Sequence, residues 1–169
     1  MDFHEIDISS IDFNPFEKIG KDWFLLTAGT KDDFNTMTAS WGGMGVIWHK
    51  NVFTTVVRPS RHTYQKMENN SLFTISFFSD DYRDVLDFCG SHSGRDCDKA
   101  KATGITPLFI DGAVGFEQAE MVLVCKKLYR NSLDEDNFTD LKTLDDYNAK
   151  GEAFHVAYIG EILKAYQKN

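Results

Sequence analysis

Prolines, cysteines and long apolar runs are scarce in this sequence of 169 residues, which contains three prolines and three cysteines. No apolar run approaches the roughly 20 residues that a membrane-spanning helix needs. An odd number of cysteines cannot all pair, and the first ten residues have neither a basic start nor an apolar stretch, so we expect a reduced, cytoplasmic protein. Because no proline-, serine- or glycine-rich linker divides the chain, residues 1–169 are expected to form a single domain.

An excess of positive charge is also missing, since the formal net charge is −8. Proteins that bind nucleic acid or anionic membranes need a basic face to displace counterions, so neither partner is expected. A local cationic pocket remains compatible with this composition. Aromatic residues, in contrast, make up 14% of the chain, and side chains of this kind build cores and subunit interfaces.

Several common catalytic and cofactor motifs are not present. Residues 42–45 (GGMG) lack the G-x-G-x-x-G spacing of a dinucleotide-binding turn, and no Walker-type glycine run occurs. Cys89, His92 and Cys97 have no second ligand pair, so a zinc site is not expected. The middle residue of the segment 90–94 is histidine, where a hydrolase nucleophile elbow needs serine. Both metal binding and serine nucleophile chemistry are therefore disfavoured.

Alternating and β-branched residues predict many strands, whereas helical patterns are few and short. The predicted strands cover residues 23–30, 36–41, 52–58, 72–78, 114–118, 121–128 and 154–165. Short helices are predicted at about 61–69, from 79 to 90, and before Gly104. Because strands and helices do not alternate regularly, an antiparallel barrel or sandwich with appended helices is favoured over a doubly wound fold. An acidic, irregular insert spans residues 131–151.

One predicted strand and the residues after it carry much of the polar chemistry. Hydroxyl and apolar side chains alternate from residue 36 to 41, so one face of this strand is lined by hydroxyls. The glycines within residues 42–45 predict a bend, and Ser60 is expected to cap a short helix. With Arg58 and Arg61 beside that helix start, the segment predicts an anion site. A solvated edge strand with surface arginines is the alternative.

Two further regions could carry chemistry. In residues 89–99, small and hydroxyl side chains stand beside Arg95 and Lys99. A backbone nest with a guanidinium would satisfy several oxygens of a phosphate. His155 lies in the last predicted strand, and a lone histidine on a strand is more often structural than catalytic, so both roles stay open.

Four ordered segments together resemble the flavin reductase-like, FMN-binding split-barrel family, and more narrowly its flavoredoxin-like branch. The segments are NTMTASWGG at 35–43, VRPSRHTY at 57–64, CGSHSGRDCDK at 89–99 and FHVAYIGEI at 154–162. The resemblance extends from about Trp23 to the end of the chain. It implies a mainly β fold, a six-stranded antiparallel Greek-key split barrel with a few short flanking helices. It also implies a homodimer with FMN at the subunit interface.

The resemblance further implies a set of site residues. Four would lie along the flavin: Thr38, Ala39, Ser40 and Trp41. The phosphate and ribityl chain would be held by Arg58, Arg61, Thr63, Ser93, Gly94, Arg95 and Lys99. His155 matches the position where many relatives place a histidine near the nicotinamide donor. The chemistry of these residues agrees with that cofactor, since FMN needs cations, hydroxyls or backbone donors, and an aromatic or apolar platform.

We therefore expect an FMN-dependent oxidoreductase that takes hydride from NADH or NADPH and passes electrons to free flavin or another small acceptor. A second hypothesis is a non-enzymatic FMN-binding protein that carries electrons or holds flavin. A third is a split-barrel dimer that has lost the flavin. The sequence does not decide between NADH and NADPH, and it does not identify the acceptor.

Overall fold

The computed structural model describes residues 2–149 and 151–169. This part of the chain forms ten strands: β1 (Phe3–Ile6), β2 (Phe24–Gly29), β3 (Phe34–Ala39), β4 (Gly42–Ile47), β5 (Lys50–Val57), β6 (Leu72–Phe77), β7 (Pro107–Ile110), β8 (Ala113–Phe116), β9 (Met121–Ser132) and β10 (Val156–Lys168). It also forms five α-helices: α1 (Pro15–Gly20), α2 (His62–Asn69), α3 (Arg83–Ser91), α4 (Lys99–Thr103) and α5 (Leu141–Asn148). Short 3₁₀ turns lie at Ile8–Ser10, Asp80–Tyr82 and Glu135–Asn137.

Eight of these strands form one antiparallel sheet, in the order β3-β2-β6-β9-β10-β5-β4, with β1 added on β10. The long strand β10 pairs with β9 along most of its length. On the edge opposite β9, the first half of β10 pairs with β5 and its last residues pair with β1. Register shifts at Ile159/Gly160 and Ile162/Lys164 mark irregularities in the pairing of β10 with β9. Strands β7 and β8 form a separate hairpin.

Two apolar clusters lie on opposite faces of the sheet, which explains why β2 is buried at every position. Phe24 belongs to the first cluster and contacts Phe53 with ring centroids 5.3 Å apart in an edge-to-face arrangement. Leu25, the next residue, belongs to the second cluster with Leu86 of α3 and Phe116 of β8. A half-exposed strand is marked by alternating polar and apolar residues. A strand buried on both faces lacks this alternation, so only its β-propensity predicts it.

The predicted mainly β, antiparallel class is confirmed, but the strand count of six is wrong. The glycines predicted to form a bend lie instead in β4, which pairs residue by residue with β5. Strands β1 and β7 were not predicted. Backbone pairing with a distant partner decides these elements, because short or glycine-rich strands carry little side-chain signal.

Two helical predictions are also corrected. Ser60 does not cap α2, because the helix begins after Arg61 and no side chain bonds to its first N–H groups. The insert predicted to be irregular contains α5, whose N-cap Asp140 accepts a hydrogen bond from the backbone N–H of Thr143. None of the helices in the described part of the chain is long and apolar enough to cross a membrane.

Candidate functional site

A cavity of about 580 Å³ lies where three strands end or begin. Strand β3 ends at Ala39 and β5 ends at Val57, while β10 begins at Val156, directly after His155. The loops at these positions therefore bring distant residues to one opening. Its lining residues are Met37, Thr38, Ala39, Ser40, Trp41, Val56, Arg58, Ser60, Arg61, Glu152 and His155.

Aromatic rings form one end of this cavity. Trp41 is 52% exposed, and its ring centroid lies 5.1 Å from that of His155, tilted by 40°. Tyr147 of α5 lies on the other side of His155, where its hydroxyl accepts the backbone N–H of His155 at 2.8 Å and contacts Nδ1 of the same residue. The site thus has a half-exposed aromatic platform beside a histidine that is held from two directions.

Arg58 contacts the same histidine from the opposite edge of the ring. Its Nε–H donates to His155 Nε2 at 3.3 Å. Arginine can only donate, so Nε2 must be the accepting nitrogen in this arrangement, and the ring proton lies on Nδ1, facing Tyr147. The guanidinium also pairs with the Glu152 carboxylate and lies 5.7 Å from the centre of the Tyr147 ring.

A second, smaller cavity of about 110 Å³ continues from the first, since both share Met37, Ser60 and Arg61. Lys99 and Arg61 line it and Arg95 lies beside it, and a backbone carbonyl oxygen accepts a hydrogen bond from each of these three cations. Lys99 Nζ donates to Cys89 O at 2.7 Å, Arg61 Nη2 to Gly90 O at 2.7 Å, and Arg95 Nη1 to Ser60 O at 3.0 Å. Within residues 2–149 and 151–169, none of the three forms an ion pair with a carboxylate.

The electrostatics of this second cavity indicate uncompensated positive charge. Burial, with a smaller contribution from the nearby Arg61 charge, lowers the pKa of Lys99, which is 5% exposed, to about 8. The pKa of Arg61 is itself lowered by burial and by Arg58. The pKa of His62 is lowered by burial and by Arg95 and Lys66. Neighbouring positive charges in a buried site lower one another's pKa, and a bound anion stabilises their charged forms.

One polar atom beside these cations has no partner. His62 lines the second cavity, and its Nδ1 is buried without a hydrogen-bond partner among the described residues. Buried polar atoms are nearly always satisfied, so an unpaired nitrogen at a cationic cavity is what a site for a polar ligand shows in the absence of that ligand. The donor set therefore fits a phosphate group.

Some hydroxyl groups near the cavities donate hydrogen bonds within the protein, whereas others keep a proton that a ligand could accept. Thr63 is fully buried, and its oxygen accepts Asn35 Nδ2 at 2.7 Å, which leaves its own proton available. Gly94 packs so closely on Asn35 that a Cβ there would lie 1.9 Å from Oδ1, so only glycine fits. Thr38, in contrast, donates to Leu86 O at 2.5 Å. The hydroxyl strand thus holds α3 in place as well as lining the site.

The structure brings the residues predicted for the site together around these two cavities. The first contains Thr38, Ala39, Ser40, Trp41, Arg58, Arg61 and His155, and the second contains Arg61, Thr63, Ser93, Gly94 and Lys99. Arg95 lines neither cavity, but it bonds to Ser60, which lines both.

Sequence reasoning missed several residues at the site, namely Met37, His62, Tyr147 and Glu152. His62 lies inside a recognised segment, so its position next to Arg61 was a usable signal. Tyr147 and Glu152 belong to or follow the acidic insert, whose pattern carries no sign of proximity to Arg58.

Comparison with known proteins gives a family match over most of the chain. The model of the flavin reductase like domain matches residues 16–169. No curated protein matches significantly.

Solved structures with the same fold are similar to this chain at low sequence identity. Flavoredoxin of Desulfovibrio vulgaris (Miyazaki F) has a TM-score of 0.67 and 23% identity, over 87% of this chain and 69% of that one. An FMN-binding domain of a flavin reductases-like enzyme from Shewanella baltica OS155 has a TM-score of 0.69 and 15% identity, over 98% and 77%. The NADH:FAD oxidoreductase SgcE6 of Streptomyces globisporus C-1027 has a TM-score of 0.64 and 15% identity, over 86% and 75%. The predicted split-barrel fold is confirmed, and the chain belongs to the flavin reductase-like domain family.

Proposed function

We propose that this protein binds FMN and is an oxidoreductase that takes hydride from a nicotinamide dinucleotide and passes electrons to free flavin or another small acceptor. The observation that carries the proposal is the junction of two cavities. One presents the buried Lys99 and the half-buried Arg61, with the exposed Arg95 beside them and no carboxylate partner among the described residues, and the other presents an aromatic platform beside a histidine. FMN has the same order of groups, with a phosphate at one end, a polyol in the middle and a flat ring at the other.

The phosphate of FMN would be held by Lys99, Arg61 and Arg95, with His62 and Thr63 as further hydrogen-bonding partners. Each cation is already oriented by a backbone carbonyl and keeps unused N–H groups, so little ordering is required on binding. Charge-assisted hydrogen bonds to phosphate oxygens contribute about 1.5 to 3 kcal/mol each. Riboflavin lacks the phosphate and is therefore expected to bind more weakly.

The flat end of the cofactor would lie along residues 38–41, with Trp41 as the aromatic surface. Bound FMN supplies the redox centre, which accepts and returns electrons. Arg58 contributes a fixed positive charge at this end, and His155 contributes a ring oriented by Arg58 and Tyr147. These groups position a bound substrate and offset negative charge, which is the protein's part in hydride transfer.

The functions named for two proteins with the same fold support the proposed redox function. The Shewanella domain binds FMN, and the Streptomyces protein is an NADH:FAD oxidoreductase. The alternative of an electron carrier has support of the same kind, since a flavoredoxin shares the fold. The two functions differ in whether a nicotinamide reduces the bound flavin.

The experiment that tests this function is anaerobic reduction of the FMN-loaded protein. NADH or NADPH is mixed with the protein in a stopped-flow instrument, and the visible flavin absorbance is followed. We expect the absorbance to bleach with at least one nicotinamide and to return when free flavin is added as acceptor. Bleaching by dithionite but by neither nicotinamide would instead establish the electron carrier.

A further inference from the structure

A third cavity, of about 400 Å³, adjoins the first, because Ser40 and Trp41 line both. Helix α1 provides one wall with Phe16, and β4 provides another with Met44. The two glycines that begin β4 also line the cavity, and they contribute no side chains that would fill the space. A volume of this size lies within the range of small-molecule sites, roughly 300–1,000 Å³.

Two exposed aromatic rings belong to this cavity. Phe16 is 86% exposed and Trp41 is 52% exposed. The position of Phe16 is nevertheless fixed, because its backbone N–H donates to the Asn14 side chain at 3.0 Å and Ile19 anchors the same helix in the first apolar cluster. Exposed apolar groups that line a groove mark a place where a ligand binds. A ligand that packs on Phe16 would not need to order the helix first.

The polar groups of the lining restrict the chemistry of such a ligand. The described residues that line the cavity are uncharged. Among their side chains, the Ser40 hydroxyl and the Trp41 indole N–H can donate hydrogen bonds. An uncharged aromatic molecule with carbonyl oxygens matches this combination, since its ring packs on the aromatic walls and its oxygens accept from the two donors.

We propose that the third cavity binds a quinone, and that this quinone is the acceptor that takes electrons from bound FMN. This inference rests on the proposed function, which places the flavin ring along residues 38–41 and therefore beside the shared wall at Ser40 and Trp41. The quinone takes up two electrons and two protons and becomes the hydroquinone. The reduced flavin loses the same two electrons and two protons and returns to its oxidised form, so the exchange is balanced without a further reactant.

The test bypasses the nicotinamide so that the quinone step is measured alone. The FMN-loaded protein is reduced anaerobically with one equivalent of dithionite and mixed with 1,4-naphthoquinone, and the return of the flavin absorbance is followed by stopped flow. We expect the rate to saturate as the quinone concentration increases, because the quinone binds before electrons pass. Calorimetry with the oxidised, FMN-loaded protein gives the dissociation constant of the same quinone independently.

Three variants of exposed phenylalanines identify the cavity. Phe16→Ala should raise the quinone dissociation constant and the half-saturating concentration by about tenfold, because a packed aromatic wall is lost. Its FMN affinity should stay within about twofold of the wild type. Phe16→Tyr keeps the ring and should behave like the wild type. Phe109→Ala, at a 49% exposed position on the separate β7-β8 hairpin, is the matched control and should also be unchanged.

Several results would overturn the inference. A rate that rises linearly with quinone concentration and is equal in Phe16→Ala would show that electrons pass by simple collision. If Phe16→Ala weakens self-association in sedimentation but leaves quinone binding unchanged, the cavity belongs to a subunit interface. Flavin reduction by a nicotinamide without quinone binding would remove the quinone site and leave the reductase function intact. Conversely, saturable and Phe16-dependent reaction with quinone, without bleaching by either nicotinamide, would support the quinone site and remove only the nicotinamide step.

Discussion

The ammonium group of Lys99 lies inside the protein, and no carboxylate among the described residues pairs with it. Its single hydrogen bond in the described structure goes to the carbonyl of Cys89, and burial holds its pKa at about 8. A free ammonium would normally stay charged to well above that value. The charge state of this one residue therefore changes near the upper end of the physiological range, and a bound phosphate would favour the charged form.

We predict that FMN affinity falls as the pH rises above about 8. The phosphate is a dianion above roughly pH 6, and Lys99 is charged below about pH 8, so both partners carry full charge between these limits. Above pH 8, FMN binding must protonate Lys99, and this weakens the binding. Each 1.4 kcal/mol of lost interaction lowers the affinity by about tenfold. Fluorescence titration of FMN against pH measures this change.

Two controls accompany the titration. Riboflavin affinity should not show this Lys99-linked fall, because riboflavin has no phosphate. Lys99→Met should bind FMN more weakly at pH 7 and lose the decline above pH 8, whereas Lys101→Met, at an exposed position on the same helix, should behave like the wild type. A decline that persists in Lys99→Met would assign the effect to another group.

At the scale of single elements, α5 and the loop after it determine how His155 is held. Tyr147 of α5 stacks on Phe154 with ring centroids 5.0 Å apart and only 10° between the planes, and Phe138 contacts both rings. This aromatic cluster fixes the hydroxyl that contacts His155 Nδ1. An insert without an evident pattern thus becomes part of the aromatic end of the site.

We predict that Tyr147→Phe leaves FMN affinity within about twofold and slows flavin reduction by the nicotinamide. The ring packing is retained, while the hydrogen bond between the Tyr147 hydroxyl and His155 Nδ1 is lost, so the pH profile of the reduction rate should also shift. His155→Ala should slow the step by about tenfold, or about 1.4 kcal/mol. Single-turnover stopped-flow measurements over a range of pH check both variants.

Tyr129→Phe is the matched control, because Tyr129 lies on β9, is 47% exposed, and its hydroxyl makes no hydrogen bond in the described structure. If reduction by His155→Ala is as fast as in the wild type, His155 has no role in the hydride step. If Tyr147→Phe changes only FMN binding, its hydroxyl supports the fold and not the reaction.

At the scale of the whole molecule, one edge of the sheet presents exposed apolar side chains. Strand β4 ends the sheet, so one of its edges has no partner among the described strands. Val46 on this strand is 69% exposed, Trp48 in the following turn is 56% exposed, and the Trp48 ring lies 6.3 Å from that of Tyr129. Exposed edges and apolar patches of this kind are usually covered by another chain. A homodimer, which the family resemblance implies, would cover this face.

We predict a dimer at micromolar concentration, measured by sedimentation velocity. Val46→Glu places a charge in the proposed interface and should raise the dimer dissociation constant by at least about tenfold. FMN affinity should fall in parallel if the cofactor is shared. Phe109→Glu, at a 49% exposed position on the separate β7-β8 hairpin, is the control. A wild-type monomer with flavin fully bound would rule out the shared site.

Local patterns in the sequence were sufficient for most of the fold and for naming the cations near the second cavity. Strands such as β6 and β9 are rich in β-branched and aromatic residues, and Gly104 ends α4 in the left-handed conformation that favours glycine. The cations of the segments 57–64 and 89–99 could be named because their side-chain types match a phosphate. Each of these inferences uses residues that are neighbours in the chain.

The features that only the tertiary structure decided involve residues that are far apart in the sequence and that pairing brings together. Glu152 reaches Arg58 across 94 positions, and Arg95 reaches Ser60 across 35. Strand β4 exists because its backbone pairs with β5, and its glycines carry no side-chain pattern that could announce it. The Thr38 hydroxyl is directed to Leu86 by the packing of α3, although its position in the strand is typical of a ligand-facing residue. Partner choice for charges and hydroxyls depends on geometry set by the whole sheet, whereas residue type and periodicity are local properties of the chain.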